Sequence, residues 1–310
     1  MKNFAKLQYV SILFVSMLFV NCKQSDNSGK DKETILKGSA TILVDESIKP
    51  LIEDQIAVFQ SDYNAKIILE AKSEKEVLRS FLNDSSQIAI LSRKLNEDEL
   101  KHFQILKITP KVTKIATDAI AFIANRNNKD TLIALQDVIL FMQGKEQKSI
   151  KGLVFDNLNS STVRYMTELA GIKEVPQKGV FSFKVNEDVV KFVSENDGMI
   201  GVVGLNWLYQ PSATIKNLVK DINVLSVKGE GKKDYFAPTQ NNLAEGTYPL
   251  ARDLFIINCQ GYNGLGMGFA SFIAGEVGQR IVLKSGLLPV RVPGRKVVFK
   301  TQADTTEKKK

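Results

Sequence analysis

The hydrophobic pattern changes character along the chain. Residues 7–20 form a nearly unbroken apolar run behind Lys2 and Lys6, interrupted lightly by Gln8, Ser11 and Ser16. From Gly38 onward, short apolar runs of strand length alternate with segments of helical spacing. Residues 42–44 read as a strand, followed by a helix carrying Leu51, Ile52, Ile56 and Phe59 on one face. Strand 65–69, helix 74–83 (Val77, Leu78, Phe81 and Leu82 inward), strand 87–91 and helix 97–103 follow. Residues 111–125 are long and apolar enough for two joined strands, and 135–142 form a helix. Further on come helix 186–195, the Gly-punctuated strand 198–204, strand 222–227 and a polar, turn-like stretch at 229–246. The apolar run 254–259, a Gly-rich loop at 261–268 and a helix at 269–285 close the pattern. Strands alternating with helices predict an α/β protein with parallel pairing.

One stretch stands out: Val154-Phe155-Asp156-Asn157-Leu158-Asn159-Ser160-Ser161-Thr162-Val163-Arg164. A short apolar run ends in polar residues, and a helix begins, with Val163, Met166, Leu169 and Ala170 at helical spacing up to Gly171. Hydroxyls beside the unpaired N–H groups and positive dipole end of a helix make an anion cradle. An ordinary Ser/Thr N-cap explains the same residues.

The first twenty residues carry an address rather than a fold. A basic start and an apolar run shorter than the roughly 20 residues of a bilayer span end at Phe19-Val20-Asn21-Cys22. This resembles a bacterial lipoprotein signal, with Cys22 as the lipidation site, an uncleaved anchor being the alternative. Residues 1–22 are thus expected to be the signal and 23–35 a flexible leash. The body then lies in the periplasm, lipid-anchored to the inner or outer membrane. With Cys22 lipidated, no disulfide is expected to frame the fold, and Cys259 reads as a small buried hydrophobe.

Charge and composition exclude several classes. The chain carries 42 basic and 34 acidic residues, a net +8, of which Lys308, Lys309 and Lys310 supply three. No basic-aromatic array accompanies this charge, which argues against nucleic acid. One histidine and two cysteines leave almost no material for a metal centre or a His-based triad. Ser160 has only His102 as a conceivable base, so no enzyme, no cofactor and no metal are expected.

The order of motifs resembles the phosphate-type substrate-binding proteins of ABC transporters, with the type 2 periplasmic-binding-protein fold. Gly38-Ser39-Ala40-Thr41 resembles the family's opening loop, and Ile90-Leu91-Ser92-Arg93 with Leu95 and Glu99 its strand-end segment. Asp118-Ala119-Ile120-Ala121, Ile200-Gly201-Val202-Val203-Gly204, Tyr248-Pro249-Leu250-Ala251-Arg252 and Gly275-Glu276-Val277-Gly278-Gln279 match later motifs in order. The resemblance implies two α/β lobes with mixed sheets, joined by two crossing strands near Asp118 and near Tyr248-Pro249. It implies lobe I over 36–118 and 249–298, lobe II over 119–248, and a basic tail over 299–310. By position, Ser39, Ala40, Thr41, Ser73, Ser92, Arg93, Ser160, Ser161 and Thr162 would line the cleft and bind the ligand. Phosphate or a related oxyanion and an ABC permease or envelope complex are the implied partners, with the membrane reached through the N-terminal lipid.

The chain departs from the family at the cradle. Phosphate binders have an arginine four residues before the first serine of a Ser-Gly-Thr cradle; here Asp156 precedes Ser160-Ser161-Thr162. Asp45, Glu46, Glu74 and Glu76 add further acids at helix starts. Arg93, Arg164, Lys72 and Arg252 are the replacement cations. Arg93 either forks onto an oxyanion or forms a structural ion pair, with Asp118 or Glu46 the expected partners. A transport role therefore predicts a free Arg93. A lipoprotein that keeps the clamp but binds a protein or peptide predicts acids paired with Arg93, and an apolar surface at Trp207, Leu208 and Tyr209 unless these are local core.

Overall fold

The computed structural model describes residues 33–83, 86–292 and 294. The expected signal, Cys22, most of the leash and the basic tail lie outside the described residues. The first half of the body runs β1 (Gly38–Asp45), a 3-10 turn (Glu46–Ile48), α1 (Lys49–Asp62), β2 (Ala65–Lys72), α2 (Glu74–Leu82), β3 (Ile88–Leu91), α3 (Glu97–Ile105) and β4 (Lys111–Asn125). Then come β5 (Leu132–Ala134), α4 (Leu135–Met142), β6 (Gly152–Phe155), α5 (Ser161–Ala170), β7 (Val180–Ser182), α6 (Asn186–Glu195), β8 (Met199–Gly204) and α7 (Asn206–Tyr209). A 3-10 turn (Leu218–Asp221), β9 (Ile222–Val224), β10 (Ser226–Lys228), α8 (Gln240–Ala244), β11 (Ala251–Asn258), α9 (Leu265–Ala274), α10 (Glu276–Lys284) and β12 (Leu288–Pro289) complete it.

The strands pair in the order β2-β1-β3-β11-β4-β8-β6-β7, with β9 and β12 also on β4. Pairing is parallel within β2-β1-β3 and within β8-β6-β7, and antiparallel wherever β4 or β11 takes part. Parallel strands covered on both faces need apolar side chains on both sides. Accordingly, Ile42, Leu43 and Val44 of β1 and all four residues of β3 are buried. β4 is one continuous strand of 15 residues rather than two. Its first part pairs with β11 up to Ala119, and from Ile120 it pairs with β8. A strand this long spans on the order of 50 Å, so a single element reaches from one sheet region into the other. The return connection meets it at the same place: Leu250 accepts a hydrogen bond from the Ile120 N–H (2.9 Å), and the Tyr248 hydroxyl donates to the Ile120 carbonyl (2.6 Å).

Two expected elements differ in detail. The helix expected at 269–285 starts earlier and is broken in two at Gly275, whose extended backbone (ψ 175°) ends α9 and starts α10. Here α10 folds back so tightly that a Cβ on Gly278 would lie 2.5 Å from the Ile273 backbone. The stretch 222–227 likewise divides, β9 pairing with β4 and β10 with β5. Gln279 ties α10 to the sheet: its amide donates to the Ile115 and Ile273 carbonyls, and its oxygen accepts from the Val290 N–H.

α1 buries Leu51, Ile52, Gln55, Ile56 and Phe59 along one side, the spacing of an amphipathic helix. The Phe59 ring is fully buried, with the rings of Tyr63, Phe269 and Phe272 centred 4.9, 5.3 and 5.3 Å away. Phe59→Ala is expected to cost about 3–5 kcal/mol, the range for removing a buried aromatic ring. Urea unfolding should show a lower midpoint with an unchanged slope; a midpoint equal to wild type would contradict this packing.

Candidate functional site

The ends of β1 and β6, the start of α2 and the crossing of β4 with β11 meet in one buried polar cluster. β1 carries its apolar run to Asp45, and there the backbone turns into α1 through the 3-10 turn, Asp45 Oδ1 accepting from the Ser47 N–H (3.1 Å). β6 ends just before Asp156, and Ser160 caps α5 by accepting from the Val163 N–H (3.2 Å). Gly171 ends that helix in the left-handed region (φ 65°), a conformation favouring glycine.

Arg252 of β11 lies at the centre, buried with Asp118 of β4, its cross-strand neighbour. Its Nε and Nη2 both donate to Asp118 Oδ2 (3.0 and 2.8 Å). Nη2 also reaches Ser47 Oγ (3.0 Å) and Nη1 reaches Ser161 Oγ (2.9 Å), while the two hydroxyl oxygens lie 3.0 Å apart. One guanidinium therefore joins the β1 end to the α5 start.

A second group is acidic. Ser160 Oγ donates to Asp156 Oδ1 (2.5 Å), and Asn186 Nδ2 donates to both Asp156 Oδ2 (3.1 Å) and Glu46 Oε2 (2.7 Å). Glu46 Oε1 accepts from the Asn186 N–H at the start of α6 (3.3 Å). Burial, with the neighbouring Asp156 carboxyl, pushes Glu46 up to about 8. Burial likewise pushes Asp156 up to about 7, against the Ser160 hydrogen bond. Burial also raises Asp45 and Asp118, with Arg252 pulling the other way. Burial works against the Arg252 charge, yet the carboxyls of Asp118, Asp45 and Asp156 raise its pKa. The Oγ1 of Thr162 is buried without a hydrogen-bond partner among the described residues.

Glu74, first residue of α2, forms the third group with Arg93 and Arg164, and Arg93 also forks onto Glu99 (2.8 and 2.7 Å). The Glu99 hydrogen bond raises the Arg93 pKa despite burial. A cavity of about 640 Å³ opens beside this group, reaching Glu74, Lys75, Ser160, Arg164 and Lys173.

Ser160, Ser161, Thr162, Ser73, Ser92 and Arg93 thus come together around the cluster. Ser73 directs its hydroxyl and N–H to Glu76 (2.6 and 3.2 Å), and Ser92 Oγ is 3.5 Å from Arg164 Nη2. Ser39, Ala40 and Thr41 do not come with them. They lie in the first half of β1, paired with Lys66, Ile67 and Ile68. The strand extends before Ile42, so these residues sit roughly 13–20 Å from its C-terminal end. Arg93 pairs with Glu74 and Glu99 rather than with Asp118 or Glu46. Sequence reasoning missed Ser47, Asn186 and the cluster role of Arg252. Ser47 had a signal: it follows a strand's C-terminal end, where α/β sheets open their crevices. Trp207 is core, its Nε1 donating to the Ser47 carbonyl (3.1 Å), whereas Tyr209 is exposed.

Two sheet regions joined by crossing strands, with a buried polar cluster between them, define a binding-protein fold of the type 2 periplasmic class. The chain matches the family described as the PBP superfamily domain over residues 29–277, and it belongs to that family. It is 25% identical over 304 residues to the phosphate-binding protein PstS of Borreliella burgdorferi, covering 91% of this chain and 97% of that protein. Among solved structures, an ABC-type phosphate transport receptor from Vibrio cholerae superposes with a TM-score of 0.60 at 17% identity, over 80% of this chain and 99% of that one. The OxyR2 regulatory domain from Vibrio vulnificus shares the fold at a TM-score of 0.52 and 10% identity, over 79% and 98%.

Replacing Arg252 by Met leaves Asp118 buried without its cation, and a loss of about 3–5 kcal/mol is expected. The double variant with Asp118→Asn should recover part of it in denaturant titration. The raised acids give a pH signature. Between their ordinary values (4.5 for Glu46, 3.8 for Asp156) and about 8 and about 7, each binds a proton in the folded chain but not in the unfolded one. Stability should therefore fall as pH rises through that window. Asp156→Asn and Glu46→Gln should flatten the fall in melting temperature between about pH 4 and 8; an unchanged slope in both variants would exclude these carboxyls as its source.

Proposed function

We propose that the chain is a lipid-anchored solute-binding protein of the bacterial envelope that takes phosphate or a related oxyanion between its lobes and delivers it to an ABC permease. The lipid is carried by Cys22, and the lobes are residues 36–118 with 249–298, and 119–248. The observation that carries this reading is the convergence of Ser47 Oγ, Ser161 Oγ and the Arg252 guanidinium within 3.0 Å of one another at the start of α5. Hydroxyls, a charged fork and a helix N-terminus are what an oxyanion requires. The nearby acids do not forbid it, because Asp156 and Glu46, pushed up to about 7 and about 8, are largely protonated at mildly acidic pH. A protonated carboxyl donates to an oxyanion instead of repelling it. The names of the relatives support the same ligand: the proteins matched in Borreliella burgdorferi and Pseudomonas aeruginosa are phosphate-binding proteins.

A second reading is favoured by one specific observation: Arg93, Arg164 and Arg252 all make ion pairs with carboxylates of the chain itself. On this reading the clamp is retained to bind a protein or peptide partner of the envelope, and small anions are not its cargo.

Isothermal titration with phosphate separates the two. Oxyanion binding predicts heat at about pH 6, with affinity weakening by about pH 8.5 as the acids ionise, and a loss in Ser161→Ala. Absence of both heat and thermal shift at either pH would remove the transport reading. A stable envelope partner recovered with the full chain from membranes would then support the second.

A further inference from the structure

Glu74 is a carboxylate with almost no access to water, its side chain 3% exposed. Its Oε1 accepts from Arg93 Nε (3.2 Å) and Arg164 Nε (2.6 Å), and its Oε2 from Arg164 Nη2 (3.2 Å). A buried carboxylate survives only when paired in this way. The two guanidiniums keep 21% and 24% of their side-chain surfaces exposed, so the pair borders solvent while the carboxylate between them does not. Arg164 and Glu74 also line the 640 Å³ cavity, which gives a solute a way to them. Two guanidiniums converging on one carboxylate have the donor geometry that also suits a free oxyanion.

We propose that Glu74 is a resident anion that determines what the cleft accepts: it occupies the Arg93–Arg164 pair against free oxyanions, and its removal turns that pair into a phosphate site. The proposal rests on the reading of the cleft as an oxyanion site, but it concerns donors other than Ser47, Ser161 and Arg252. A tethered carboxylate competes at an effective concentration on the order of millimolar or above, so a free anion of weaker affinity is excluded. Glu74 links residues on opposite sides of the cleft, since Arg164 belongs to α5 and Arg93 follows β3. The same bond therefore also holds the α2 start against α5, next to the backbone bond from Lys75 N–H to the Asn159 carbonyl (3.2 Å).

The test compares wild type, Glu74→Ala and Glu74→Gln, and the double variant Glu74→Ala/Arg164→Ala, by isothermal titration with inorganic phosphate at about pH 7.5. Phosphate should bind Glu74→Ala roughly tenfold or more tightly than wild type, the scale of one charge-assisted hydrogen bond, and the double variant should lose the increase. Binding by Glu74→Ala with none by wild type supports the proposal while refuting transport of phosphate by the natural chain. Folded Glu74→Ala and Glu74→Gln that bind phosphate no better than wild type overturn it. So does an increase that persists without Arg164. If the single variants are too unstable to titrate, melting in phosphate against chloride at equal ionic strength decides: a rise specific to phosphate upholds the resident anion, and equal melting temperatures overturn it.

Discussion

The buried ion pair of Arg252 with Asp118 ties the fold and the cleft into one problem. A guanidinium out of water must be answered on every side, since its desolvation otherwise exceeds what one carboxylate returns. Asp118 answers two of its nitrogens from the neighbouring strand, and Ser47 and Ser161 supply oxygens on the far side. These four residues come from β4, β11, the β1 end and the α5 start. The pair can therefore be satisfied only when both crossing strands are in register and both sides of the cleft are close. Local pairing and global closure have the same solution.

The acids of the cleft follow a common electrostatic logic. Helix starts leave N–H groups unpaired and favour negative charge. Here the chain provides that charge itself: Asp45 at the turn into α1, Glu76 and Glu74 at α2, Asp156 by way of Ser160 at α5, and Glu46 on the first N–H of α6. Crowding so many carboxyls without water raises the pKa of several of them, and Arg252, Arg93 and Arg164 compensate the remainder. The cleft thus pairs Arg93, Arg164 and Arg252 with carboxylates of the chain itself. It differs from an open set of donors, in which an incoming anion supplies all the negative charge. The fold alone leaves the choice of solute open, as the presence of the same fold in the OxyR2 regulatory domain illustrates.

Much of this was legible along the chain. The alternation of apolar runs and helical faces located the main strands and helices, because side-chain periodicity follows directly from backbone geometry. The helix start at Ser160 and the separate motifs that hold Asp118 and Arg252 were visible in the sequence, but the pairing of these two residues across neighbouring strands was not. Gly275 was not visible as a helix break, since a glycine in an apolar helical pattern is ambiguous until the next helix must fold back upon it. The residue types of Ser39–Thr41 suit an opening loop at a cleft. The edge of β2 instead extends β1 back to Gly38, and the turn moves to Asp45–Ser47.

The order of residues is enough to establish the alternation of strands and helices and the helix start at Ser160, since both are set by neighbours in the chain; the two-lobed fold and its cleft followed from the resemblance of motifs. Which charges meet is settled by the packing of distant segments. Glu74 and Arg164 are 90 residues apart, and Ser47 and Arg252 are 205 apart. Periodicity carries no information over such separations. Whether a carboxylate repels a solute, holds a proton or neutralises an arginine depends on distance and burial, and the folded chain alone fixes both.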